Sequence, residues 1–108
     1  MAPVATFIHI YAHEGRRDEL VKALNELCDH VAENEPGTEV FVMHEDTDDP
    51  NAIWFYEVYH DDPARLAHKD AQILKHLEKL LIPELVAGTS KRVYGAPLRA
   101  KMTPIGAD

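Results

Sequence analysis

In the stretch WFYEVYHDDPARLAH, residues 54–68, a carboxylate stands among aromatic and β-branched neighbours, and an imidazole follows a short acidic turn. Burying Glu57 in such a run is costly unless donors meet it or it takes up a proton. His68 is its nearest partner in sequence. An imidazole held in one tautomer by a carboxylate can take a proton from a phenol or an enol, which makes Glu57 and His68 the catalytic candidates. The same pair could instead do no chemistry and simply close the junction between a strand and the following helix. His9 and His44, each inside an apolar run, are the secondary candidates for lining a substrate pocket. Phe55, Tyr59 and Tyr11 could add aromatic walls, as could Trp54 and Tyr94. Strand alternation puts Phe55 and Tyr59 on the Glu57 side, and it turns Trp54 and Tyr56 the other way, towards an interface.

Seven histidines raise the question of a metal. His9 and His13 would be about 13 Å apart along a strand, and His68 and His76 about 12 Å apart along a helix. Neither spacing chelates, and there is no HExxH or Cys-His set. The acidic EDTDDPN lacks the Gly and terminal Glu of a calcium loop and reads as a solvated hairpin tip. No metal site is expected. No Gly-rich dinucleotide motif is present either, so no cofactor is expected.

These side chains need a scaffold, and 108 residues are enough for one small domain. Hydrophobic residues make up 45% and charged residues 28%, values ordinary for a globular chain. The net charge of −8 argues against nucleic acid and anionic lipid as partners. There is no run long and apolar enough for a membrane span, and the opening MAPVATFIHIYAHEG lacks the basic start of a signal peptide. The single Cys28 fits a reducing cytoplasm, as a small buried thiol.

Residues 4–13 favour a strand, being β-branched and aromatic without helical period. From Arg17 to Glu33, Leu20, Ala23, Leu24, Leu27 and Val31 recur at spacings of three and four, an amphipathic helix that EPG at 35–37 ends. Strands at 38–45 and 52–60 flank the DTDDPN turn. Asp62 is positioned to cap a short helix beginning at Pro63. A second helical segment carries Ile73, Leu74, Leu77, Leu80 and Leu81 on one face and weakens at Pro83. After Gly88 comes a last strand, SKRVYGAPL, and residues 99–108 form a tail, flexible or reaching a neighbour. The order β-α-β-β-α-β predicts an α+β, ferredoxin-like split βαβ fold with an antiparallel sheet, in one domain over 1–98. Both faces of the first and third strands are apolar, yet helices can cover only one. The second face therefore predicts a homodimer.

The stretch EPGTEVFVMHEDTDDPNAIWFYEVYHDDPARLAHKD resembles the antibiotic biosynthesis monooxygenase domain family. The resemblance rests on the Pro36–Gly37 turn, the acidic hairpin at 46–51, Phe55-Tyr56-Glu57-Val58-Tyr59, and Ala67-His68. APLRAK fits the family's last strand and tail. It implies a small dimeric α+β barrel with a pocket between sheet and helices in each subunit, and it implies that His68 lines that pocket. Known members include oxygenases of quinols and polycyclic phenols that use neither flavin nor metal. Another branch isomerises a small phosphorylated signalling sugar derivative, and a third degrades haem. The haem branch is disfavoured by Glu78 and His68, which stand where its axial His and pocket Trp would align.

The expectation is a cofactor-independent oxygenase of the quinol monooxygenase type, acting on a quinol, phenolic or enolic small molecule with O2. His68, oriented by Glu57, would deprotonate the substrate. An isomerase or tautomerase using the same pair without O2 is one alternative, and a non-catalytic ligand-binding or assembly module is another.

Overall fold

The computed structural model describes residues 2–80 and 82–101. Leu81, expected on the apolar face of the second helical segment, and residues 102–108 of the tail lie outside the described residues. The elements in chain order are β1 Val4–Tyr11, α1 Arg17–Asn34, β2 Thr38–Glu45, β3 Ala52–Tyr59, α2 Asp62–Lys69, α3 Gln72–Leu80, α4 Ile82–Leu85 and β4 Lys91–Gly95. The sheet order is β2-β3-β1-β4, with every neighbouring pair antiparallel. This is the ferredoxin-like α+β arrangement expected from the order of the elements.

The register decides which residues share a face. Thr6 lies opposite Glu57 and Tyr94, while Ile8 lies opposite Phe55 and Arg92. On β2, Phe41 faces Glu57 and Met43 faces Phe55, after an irregularity between Thr38 and Val40. These residues make up the inner face. The buried stripe of α1, Leu20, Leu24, Leu27 and Val31, joins Ile8, Ile53, Phe55, Leu77 and Leu85 in the core. Each such side chain, fully buried, contributes about 1.5–3 kcal/mol.

Several local expectations shift. β1 ends at Tyr11, and Ala12 beyond it makes only an isolated bridge to Val86. β4 covers Lys91–Gly95 alone. Asp61, not Asp62, caps α2: its extended backbone lets its carboxylate accept from the Ala64 N–H at 2.9 Å. Asp62 is already helical. There its charge favours the helix N-terminus and pairs with Arg65 at 2.8 Å. Pro63 sits in the first turn, where its missing N–H has no helical acceptor to lose.

The acidic hairpin tip is tied down as well as solvated. One oxygen of Asp46 accepts the backbone N–H groups of Asp48 and Asp49, and Arg17 reaches across from α1 to the carbonyls of Asp46 and Asp49. At the other end of the sheet, the turn after α1 presses against α2. A Cβ on Gly37 would lie 2.7 Å from the Cβ of Ala64, so only glycine fits there. That close approach brings the end of α1 next to His68.

Candidate active site

A cavity of about 280 Å³ opens between the inner face of the sheet and the helices. Its sheet wall includes Thr6, Ile8, Phe55, Glu57 and Tyr59, and α1 contributes Leu24 and Leu27. His68 closes it from α2. The His68 residue is only 7% exposed, with its ring among those of Phe41 and Tyr59.

The carboxylate that holds His68 is Glu35, not Glu57. Nδ1 of His68 lies 2.8 Å from Oε1 of Glu35, and both side chains are nearly buried. The same oxygen accepts from the Thr38 hydroxyl at 2.9 Å, while Oε2 lies 3.3 Å from Nε2 of His30. Glu35 is the residue on which α1 ends, and the Pro36–Gly37 turn fixes its direction. With Nδ1 turned to the carboxylate, Nε2 is left for the cavity, and among the described residues no side chain bonds it.

Glu57 is engaged elsewhere. Tyr59, two residues on and on the same face, donates its hydroxyl to Oε1 of Glu57 at 2.5 Å. Burial raises the Glu57 pKa above the ordinary carboxyl range, against the opposing pull of the Tyr59 hydrogen bond and the His68 charge. Burial, reinforced by Glu57, also pushes the Tyr59 phenol far up, which keeps it a donor. Beside them, the Thr6 hydroxyl is buried and, among the described residues, without a hydrogen-bond partner, although it lines the cavity. A buried polar atom left unmet is uncommon.

Of the residues singled out in the sequence, His68, Glu57, Phe55 and Tyr59 therefore meet at one cavity. His9, His44 and Tyr11 do not. They stand on the outer face, because in β1 His9 and Tyr11 alternate with Ile8 and Ile10, and in β2 His44 alternates with Met43. His9 stacks on Trp54 with centroids 3.7 Å apart and bonds Asp46 at 3.2 Å, and Tyr11 packs on the His9 ring. His44 is exposed and, among the described residues, bonds the Trp54 carbonyl at 3.3 Å. Sequence reasoning missed Glu35, Thr6 and Arg92. Thr6 and the Ile8 row could have been found from alternation alone. Glu35 could not, since its partner lies on another element.

Among the described residues, no three His, Cys, Asp or Glu side chains converge as a metal site would require. No helix among them is long and apolar enough to cross a membrane.

Residues 3–79 match the family model described as antibiotic biosynthesis monooxygenase. The chain belongs to this family. No curated protein matches. Solved structures agree on the family's fold. A Caulobacter crescentus CB15 protein named "putative antibiotic biosynthesis monooxygenase" superposes with a TM-score of 0.84 at 18% identity, covering 91% of this chain and 92% of its own. One of the same name from Chloroflexus aurantiacus gives 0.78 at 24%, covering 94% and 98%. A Nitrosomonas europaea protein of unknown function gives 0.81 at 22%, covering 96% and 97%. At these identities the likeness to other family structures concerns the fold alone.

Proposed function

We propose that this protein is a cofactor-independent oxygenase that oxidises a quinol, phenol or enolisable aromatic ketone with O2. The observation that carries the reading is His68: buried, held at Nδ1 by Glu35, and facing the cavity with Nε2. In that setting Nε2 takes the proton of the substrate hydroxyl, and Glu35 stabilises the imidazolium that results. The substrate anion passes one electron to O2, giving a substrate radical and superoxide side by side. Their combination forms a C–O bond at the ring carbon. His68 returns its proton to the peroxide. Where the oxygenated carbon still bears a hydrogen, as after attack at a ring CH of a phenol or at the former CH2 of an enolised ketone, the hydroperoxide loses water to leave C=O. One O2 thus yields one carbonyl oxygen and one water. Phe55, Ile8, Leu24 and Leu27 supply apolar walls that exclude bulk water from the radical pair. Thr6 donates to the substrate oxygen, and Glu57 with Tyr59 shapes the cavity floor, a supporting role.

The working unit in this proposal is a homodimer. The outer face carries Phe7 at 41%, Trp54 at 40% and Val93 at 61% exposed, apolar surface that a second copy of the sheet would cover and so close an α+β barrel. Cys28, a half-buried thiol whose pKa burial raises, is consistent with a reducing, cytoplasmic setting.

Oxygen uptake with a panel of hydroquinones, naphthols and anthrones tests the chemistry, run beside His68→Ala. Uptake well above buffer, lost in a folded His68→Ala variant, supports it. A wild-type rate no faster than buffer ends the oxygenase reading, and conversion of a carbonyl substrate without O2 would put the tautomerase in its place.

A further inference from the structure

The charge around the cavity runs against that of the chain. The protein has 11 basic and 19 acidic residues. Yet among the described residues the cavity is lined by four bases, Arg65, Lys69, Lys75 and Arg92, and by three acids, of which Glu57 is pushed by burial towards its neutral form. Arg65 is already occupied: it pairs with Asp62 at 2.8 Å and lies over the Tyr94 ring. Arg92 is different. It projects from β4 on the inner face, opposite Ile8, and among the described residues no carboxylate pairs with it. Its charge is felt by both Glu57 and Tyr59, so it stands near the polar end of the cavity. Lys69 closes α2 directly after His68.

Thr6 adds the second coordinate. Its unpartnered hydroxyl lies in the row Tyr94–Thr6–Glu57, and Arg92 in the next inward-facing row, Arg92–Ile8–Phe55. Two residues along a strand span about 7 Å. A single small aromatic ring can bridge the two rows, with a hydroxyl at one end and an anion at the other.

We infer that the ligand of this cavity carries an anionic substituent, a carboxylate or a phosphate, which Arg92 binds at the cavity mouth with Lys69 beside it, while the ionisable hydroxyl sits at Thr6 and His68. The inference rests on the proposed function in taking this cavity as the substrate site, but not on its oxygen chemistry. A guanidinium donating to an oxyanion makes a charge-assisted contact, so an acid outbinds its neutral counterpart by about tenfold or more. The acidic remainder of the surface repels the same anion, which confines it to this mouth.

The experiment is anaerobic titration calorimetry with paired probes that keep a free hydroxyl: 1,4-dihydroxy-2-naphthoate against its methyl ester, and 4-hydroxy-1-naphthyl phosphate against 4-methoxy-1-naphthol. The expected result is an acid bound about tenfold tighter than its partner in at least one pair, with the gap narrowing in 0.5 M KCl. The pair with the larger gap tells carboxylate from phosphate. In Arg92→Gln the gap closes, in Arg92→Lys most of it returns, and in Lys22→Gln, an equal loss of charge outside the cavity, it persists. Equal binding of acid and neutral partner, binding of neither, or a gap that survives Arg92→Gln overturns the inference. Oxygen is admitted afterwards. A preference for the acid without oxygen uptake leaves the anion site standing and removes the oxygenase; uptake without a preference does the reverse.

Discussion

The two faces of the sheet carry nearly the same side-chain chemistry and put it to different uses. On the inner face, His68 is held by Glu35 between the rings of Phe41 and Tyr59. On the outer face, His9 is held by Asp46 between Trp54 and Tyr11. Residue types alone do not tell these two carboxylate–imidazole–aromatic clusters apart. Their surroundings do. The inner cluster borders a cavity with an unmet hydroxyl, and the free nitrogen of its imidazole faces a ligand-sized space. In the outer cluster Trp54 also donates to Asp46, at 2.9 Å, so the hairpin tip, the indole and the imidazole lock one another at the surface. A catalytic imidazole needs an orienting partner and an empty side. His9 has the first, but its face is spoken for by Trp54.

The largest expected effect comes from exchanging the two clusters in a mutational test. His68→Ala should lower oxygen uptake by about 10²–10⁴-fold, the usual worth of a positioned general base, while His9→Ala should stay within a few-fold of wild type. Comparable losses in the two variants would erase the distinction drawn between the faces. The outer face should instead answer in assembly. Phe7→Asp, placed where Phe7 stacks on Tyr56 at 5.0 Å, should shift the protein from dimer to monomer in sedimentation velocity. A monomeric wild type would mean that the exposed aromatic surface has some other partner.

How much of this is legible in the sequence follows from the range of each interaction. Strand alternation and the three-and-four spacing of α1 are local, and they placed Phe55, Glu57 and Tyr59 on one face and Trp54 and Tyr56 on the other, as found. The same rule, applied between strands, would have removed His9 from the cavity, since it has the opposite parity to Thr6 and Ile8. His44 needed the β2 register, which the irregularity after Thr38 hides from simple counting. Partner choice was the least legible. Glu57 and His68 are close in sequence, but Tyr59 satisfies the one and Glu35 the other, because the Pro36–Gly37 turn brings the end of α1 under α2.

That turn offers a third test, of intermediate size. In Gly37→Ala the added methyl meets Ala64 at 2.7 Å, and the cost should be about 1–3 kcal/mol in thermal or urea unfolding. As the turn shifts to relieve the clash, the Glu35–His68 contact should lengthen, and catalysis should fall along with stability. The matching outer-face variant, Asp46→Asn, should loosen the hairpin and leave catalysis alone. A Gly37→Ala protein as active as wild type would show that His68 does not depend on Glu35 for its orientation.

The finest contrast is in pH, where the carboxylates of the two faces act with opposite sign. Glu57 is raised by burial, so the folded protein holds that proton more tightly than the unfolded chain does. Its contribution is complete below the unfolded pKa and is lost as pH rises through the folded one. Asp46 is lowered from 3.8 to about 2, chiefly by the backbone N–H of Asp48 and then by Trp54. Its contribution is present above 3.8 and fades as pH falls towards 2. Glu57→Gln, which keeps an acceptor for Tyr59, should therefore gain on wild type as pH rises and lose that advantage in acid. Asp46→Asn should be weaker than wild type at neutral pH and draw level as the pH approaches 2. Unfolding midpoints of the two variants, each taken relative to wild type across pH 2–8, should slope in opposite directions: Glu57→Gln improves as pH rises and Asp46→Asn worsens upwards from parity, so the two difference curves diverge. Parallel curves would mean that the inner carboxylate is as well solvated as the outer one, and with it would go the argument that the cavity is dry enough for the proposed chemistry.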